Sequence, residues 1–259
     1  MTWTIYNGDM APSNAEENTS DTSLVFSPTA AVPVDKLAIL LFQSDNVDTT
    51  SADNTSFVTV TDTKSNSWLR AAESQYSAGG ALDGVLAGVY YSIISTQIET
   101  SDSITVTLTA NATSKGAALA AFNRDTSATI SVPDKQYQRV AASADYTVTI
   151  SGLASQEYLF IAHNAMEAST GSTNNVDIDY GGTAGNILQA GGPWGTSGGG
   201  AANTAGRGGY RILTATGDTY NRTGNAVADR VTVLAAFKET AAAGGTVVDP
   251  IGMSGFFGG

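Results

Sequence analysis

Polar and apolar residues alternate with a period of two in Phe57-Val58-Thr59-Val60-Thr61, Ile104-Thr105-Val106-Thr107-Leu108, Tyr146-Thr147-Val148-Thr149-Ile150 and Val176-Asp177-Ile178-Asp179-Tyr180. Successive side chains on a strand point to opposite faces, so each run predicts a strand with one face on a core and the other in water. A second kind of segment is apolar throughout: Leu37 to Phe42, Val85 to Ile94, Ala117 to Phe122, Tyr158 to Ile161 and Val231 to Phe237, each bounded by polar or glycine turns. Those runs predict central strands covered on both faces. Ala81 to Ser95 also has the length of a helix, but Gly84, Gly88 and the pair Tyr90-Tyr91 favour a strand. Many short strands separated by Ser/Thr/Asn/Asp/Gly clusters, without helices between them, predict an all-β fold, an antiparallel β-sandwich.

The apolar runs echo one another. Ala118-Leu119-Ala120-Ala121-Phe122-Asn123-Arg124 resembles Val233-Leu234-Ala235-Ala236-Phe237-Lys238-Glu239, about 115 residues later. Leu37 to Phe42 then corresponds to Tyr158 to Ile161, and Val85 to Ile94 to Tyr210 to Ala215. Two readings stay open: strands of similar composition, or a pseudo-repeat of residues 22–125 and 127–240 within one sandwich domain spanning 1–240. Under the second, the halves are expected to be the two sheets of one sandwich, because no linker separates them at Asp125 to Ser131. Gly181 to Gly209 is rich in Gly, Ala, Ser, Asn and Thr and too long for a hairpin loop, which predicts a surface excursion. Residues 241–245 read as a short flexible linker and 246–259 as an apolar terminal peptide.

Composition narrows the function classes. Twelve basic residues stand against 24 acidic ones in 259, a net charge of −12, and no two basic residues are adjacent. A groove that tracks phosphates needs more cations than that, so nucleic acid is not an expected partner. No run of eighteen apolar residues exists, so no membrane-spanning helix is expected, and Met1 to Tyr6 lacks the layout of a signal peptide. The chain therefore reads as made, and first kept, in a cytoplasm. Without cysteine there is no disulfide framework, thiolate zinc site or thiol catalysis.

Chemistry-bearing patterns are few. The lone histidine, His163, excludes mechanisms that need two imidazoles in one protomer, and on a strand it reads first as a hydrogen-bonded structural residue. Gly195-Thr196-Ser197-Gly198-Gly199 matches a nucleophile elbow only formally, for it lacks the preceding strand and following helix. Phosphate loops and dinucleotide fingerprints are missing, and no cofactor is expected. Asp177 and Asp179 beside Asn174 and Asn175, and Asp45, Asn46, Asp48 and Asp53, are oxygen-rich clusters that read as solvated faces before calcium sites. A carboxylate pair for glycoside hydrolysis cannot be located from the sequence. Trp68, Trp194 and Tyr210 lie in or beside turns, where aromatic faces stack on sugars or pack on a core. In the terminal peptide, Val247, Val248, Ile251, Met253, Phe256 and Phe257 would leave apolar surface in water, so it reads as a docking segment for a partner or as an edge strand folded back.

One stretch carries a resemblance. Leu37-Ala38-Ile39-Leu40-Leu41-Phe42 is followed by Val58 to Trp68 with its Asp62, Asn66 and Trp68, by Val89-Tyr90-Tyr91-Ser92, by Asp102 to Thr107 and by Ala118 to Phe122. In that order, Lys36 to Asp125 resembles a domain common among structural proteins of tailed bacteriophages, departing from it at Ser65, where the family has glycine. The resemblance implies a jelly-roll-like sandwich and transfers no catalytic residue. It implies a non-enzymatic virion protein, made in the host cytoplasm and displayed on the particle as head decoration, head fibre or tail component. Other virion proteins are its expected partners, held through the terminal peptide, and a homo-oligomer, a trimer above all, is its expected state. The alternative is a carbohydrate-binding module that reads a host surface glycan through Trp68, Trp194 and Tyr210.

Overall fold

The computed structural model describes residues 3–8, 10–11, 15–17, 19–45, 51–53, 56–77, 84–140, 145–167, 179–180, 183–184, 186–187, 194–195, 204–223 and 229–241. Among these residues there is no helix. The first half contributes β1 (Thr4–Asn7), β2 (Glu16–Glu17), β3 (Asp21–Phe26), β4 (Leu37–Asp45), β5 (Ala52–Asp53), β6 (Val58–Asp62), β7 (Leu69–Tyr76), β8 (Val85–Ile93), β9 (Ile104–Ala112) and β10 (Lys115–Asn123). The second contributes β11 (Thr129–Val140), β12 (Asp145–Ile150), β13 (Gln156–Glu167), β14 (Asp179–Tyr180), β15 (Thr183–Ala184), β16 (Asn186–Ile187), β17 (Trp194–Gly195), β18 (Thr204–Ala215), β19 (Asp218–Thr223) and β20 (Arg230–Thr240).

The strands stack in four layers. A three-stranded sheet, β3-β9-β6, lies on a large sheet ordered β1-β10-β4-β8-β7-β5, with β2 also on β10. The other face of that sheet meets a second large sheet, β11-β20-β13-β18-β16, and the hairpin-like pair β12-β19 covers the far side. This is why β4 reads as unbroken apolar sequence: Ala38, Leu40 and Phe42 enter the core under β3-β9-β6, while Leu37, Ile39 and Leu41 enter the core between the large sheets. The alternating strands β6 and β9 lie in an outer layer, with Val58, Val60, Ile104, Val106 and Leu108 inward. Within the first half the chain passes back and forth between layers, β1, β4, β8 and β10 in one and β3, β6 and β9 in the other, as in a β-sandwich. Ala81 to Ser95 supplies β8, a strand.

The two halves share one plan. Across β10, β4 and β8 one row of partners reads Phe122-Leu37-Ile93, and across β20, β13 and β18 the matching row reads Phe237-Leu159-Ile212. Two residues further in, Ala120-Ile39-Tyr91 matches Ala235-Ile161-Tyr210. The contacts between the large sheets are reciprocal: Tyr91 meets Phe237 edge-on with centroids 5.3 Å apart, and Tyr210 meets Phe122 edge-on at 5.1 Å. Each such pair contributes about 0.5–1.5 kcal/mol beyond its buried area. The same patch is thus used twice, as across a two-fold axis in a dimer. Each half brings a large and a small sheet, and the large ones pack together.

The glycine-rich run needs correction at its end. Thr204 to Gly209 is not surface excursion but the start of β18, in full register with β13. Gly206 and Gly208 are glycine because the side chains of Gln43 and Leu41, from the opposite sheet, occupy the space a Cβ would take.

Candidate functional site

Asp62, Asn66 and Trp68 meet at one corner of the first half. Asp62 ends β6, and its Oδ1 accepts from the backbone N–H of Lys64 at 2.8 Å and of Asn66 at 3.3 Å. Its Oδ2 accepts from Trp68 Nε1 at 2.7 Å. Asn66 is buried and reaches across to the segment after β8: Oδ1 accepts from Ser95 N, Ser95 Oγ and Thr96 N at 2.9–3.0 Å, and Nδ2 donates to the Thr96 carbonyl at 2.9 Å. Ser65 sits between them with φ of +59°, the left-handed conformation that glycine adopts at least cost. Ser65 thus holds the backbone state that glycine would take here. The ring of Trp68, half-buried against the first core, is therefore a corner post with its N–H already engaged.

Between the large sheets lies an apolar core interrupted by one polar axis. His163 is fully buried; its Nδ1–H donates to the carbonyl of Gly88 at 3.1 Å, and Nε2 lies 3.4 Å from Oε1 of Gln43. Burial holds the imidazole pKa down, at about 4, so at neutral pH the ring is uncharged. Nearby at the end of β4, Asp45 accepts from the backbone N–H groups of Thr113 and Ser114 at 2.8 Å each, closing the β9–β10 turn, and burial lifts its carboxyl pKa to about 6. Ser114 Oγ in turn accepts from Thr204 N at 3.0 Å, tying that turn to the second half. The histidine is a structural residue with both ring nitrogens facing protein groups.

At the opposite end of the large sheets, a cleft of about 240 Å³ is lined by Trp3, Gln156, Glu157 and Glu239. Extending the β13–β20 register by two residues past Leu159 and Phe237 sets Glu157 opposite Glu239. Glu157 Oε1 accepts from Trp3 N at 3.0 Å, and Glu239 Oε1 from Asp125 N at 2.7 Å. Burial raises the Glu239 carboxyl pKa above its ordinary range, against the lowering effect of the Asp125 N–H. Ligand pockets span about 300–1,000 Å³, so this cleft is a small one, sized for a group of about one side chain.

The residues singled out from sequence scatter. Trp68 is in the corner just described. Tyr210 is 6% exposed, with its ring against Phe122 between the sheets, so it offers no face for stacking on a sugar. Trp194 is in β17, paired with Gly206, and its side chain lies outside the described residues. Val247, Val248, Ile251, Met253, Phe256 and Phe257 also lie outside them, as do Asn46, Asp48, Asn174, Asn175 and Asp177. Asp45 and Asp53 do not converge: Asp53 accepts from Ser74 Oγ at 2.6 Å and pairs with Arg139 at 3.3 Å. No group of three or more potential metal ligands occurs among the described residues. Sequence reasoning missed the pair Glu157 and Glu239, which only strand register brings together. Comparison with family models, with curated proteins and with solved structures returns no match.

Proposed function

We propose that this chain is a non-enzymatic structural protein of a virus particle, displayed on its surface as head decoration, head fibre or tail component. The observation that carries the reading is the corner at Asp62, Ser65, Asn66 and Trp68, where the landmarks of the bacteriophage-type resemblance serve one architectural purpose. Such landmarks belong to a scaffold and not to a reaction. Attachment runs through residues 246–259, whose Val247, Val248, Ile251, Met253, Phe256 and Phe257 dock on a neighbouring virion protein. A homo-oligomer, a trimer above all, fits a displayed appendage.

The test is quantitative mass spectrometry of gradient-purified particles carrying either the full chain or a chain ending at residue 240. The full chain is expected at a fixed copy number and the shortened one is expected to be absent. Particles devoid of the full chain would overturn the reading, and particles that keep the shortened chain at normal copy number would overturn the attachment. Glycan recognition, the other reading, has lost Tyr210, whose ring is buried against Phe122, while Trp68 is half-buried on the first core. It rests on Trp68 and Trp194: a glycan array that shows no binding by the full chain would remove it, and loss of binding in Trp194→Ala would support it.

A further inference from the structure

We propose that the cleft at the ends of β13 and β20 receives an alkylammonium group, the side chain of a lysine on a neighbouring protein. Glu157 and Glu239 both line that cleft, two residues beyond Leu159–Phe237, the last pair of β13 and β20, and like charges brought close on adjacent strands repel. Glu239 is only 8% exposed, and while its Oε1 takes the Asp125 N–H, its Oε2 is buried with no hydrogen-bond partner. A buried carboxylate oxygen in that condition is costly until a donor or a cation meets it. The ion pairs among the described residues reach neither glutamate. Two cations act on Glu239 from nearby, Arg124 and the chain's amino terminus, and Arg124 gives its Nη1 to the carbonyls of Asp125 and Ala128 at 2.8 and 3.0 Å.

The chemistry of the cleft selects among cations. Each glutamate already commits one oxygen to a backbone N–H, which removes the two-pronged geometry a guanidinium prefers and leaves single acceptors suited to the point charge of an ammonium. A calcium ion takes about six to eight oxygens, more than two half-engaged carboxylates provide. A volume of about 240 Å³ with Trp3 in its wall accommodates an apolar stem behind the charged head. The net charge of −12 favours approach of a basic partner. This inference stands on the cleft and is independent of where the protein resides.

The probe is Nα-acetyl-lysine N-methylamide, titrated into the full chain, with the Trp3 backbone amide as the NMR reporter because it donates to Glu157. The same compound acetylated at Nε is the control. Saturable binding by the first and none by the second is expected, with affinity falling about tenfold or more in Glu239→Gln and in Glu157→Gln. Circular dichroism checks that both variants fold, and the isosteric changes relieve repulsion, so unaltered spectra are expected. Three outcomes would each overturn the proposal: no saturation by the ammonium probe, equal binding of the acetylated control, or calcium chloride saturating the site more tightly than the probe. Absence of the chain from virus particles would remove the virion reading and leave this result untouched.

Discussion

Phe42 and Asn164 stand at the same place in the two halves of the molecule, as do Ala117 and Thr232, and the four side chains are treated very differently. Phe42 and Ala117 belong to the first outer core, roofed by the three strands β3, β9 and β6. Asn164 and Thr232 face the second outer core, roofed by the pair β12-β19; both are fully buried, and neither amide atom of Asn164 nor the hydroxyl of Thr232 has a partner. Each such unmet group costs about 1–3 kcal/mol. The shared core between the large sheets keeps its matched rows of Phe, Leu, Ile and Tyr, while the outer cores have diverged. The rows that the halves use together match most closely at the Phe–Leu–Ile end, and the cores that each uses alone differ in polarity.

The largest effect is expected where that shared core departs from its own symmetry. Leu41 and His163 are matched positions, as are Val89 and Gly208, and the Leu41 side chain fills the space over Gly208. Leu41 is 1% exposed and packed in the core between the large sheets. Gly208→Val should therefore destabilise the protein by about 3 kcal/mol, measured by urea denaturation, and Leu41→Ala in the same chain should recover part of the loss. An unchanged midpoint in the single variant would mean that the sheets are not in contact at this point.

The corner at Asn66 belongs to the first half alone and shows whether the halves share their stability. Asn66→Ala strips partners from Ser95 N, Thr96 N and the Thr96 carbonyl, at an expected cost of about 2–3 kcal/mol. Because the large sheets share a core, calorimetry should show one transition that moves to lower temperature as a whole. Two transitions, only one of them shifted, would show that the halves unfold independently.

These residues also explain what was legible from sequence. Leu37 to Phe42 and Val231 to Phe237 announced strands covered on both faces because apolarity at consecutive positions is a local signal of two cores. The Asp62 corner was within reach too, since Asp62, Asn66 and Trp68 lie within one turn. Gly206 and Gly208 were opaque: their reason is Gln43 and Leu41, supplied by the other half, and a glycine-rich run alone reads as loop. Tyr210 looked like a turn aromatic for the same cause, because the ring that covers it is Phe122. The Glu157–Glu239 cleft was silent, as neither glutamate has a patterned neighbourhood and only the pairing of β13 with β20 makes them neighbours.

Making the second outer core more like the first should stabilise it. Asn164→Leu with Thr232→Ala removes the unmet polar groups and restores the apolar character that Phe42 and Ala117 have in the first half. A gain of about 1–2 kcal/mol is expected by denaturant titration, the relief of desolvation being partly offset by imperfect packing. A loss of similar size would show that these groups are satisfied in solution, by ordered water or another ligand, and that the divergence of the two halves has a purpose at this point.

The smallest effect is one that the intact protein conceals. His163 has its pKa lowered by burial from 6.5 to about 4, so between those values the unfolded chain binds a proton the folded one refuses, and stability falls as pH drops through that window. Asp45 is raised by burial from 3.8 to about 6, so across nearly the same window the folded chain holds a proton the unfolded one releases, and stability rises as pH drops. The two slopes oppose each other, and their sum should leave only a shallow dependence from these two groups between pH 7 and 4.5. Asp45→Asn keeps an acceptor for Thr113 N and Ser114 N but removes the rising contribution, so its stability should fall more steeply on acidification than that of the parent chain. His163→Gln should do the reverse and become relatively more stable as pH drops. Parallel stability profiles for both variants and the parent would mean that neither group titrates differently on folding, and that the polar axis between the sheets is open to water.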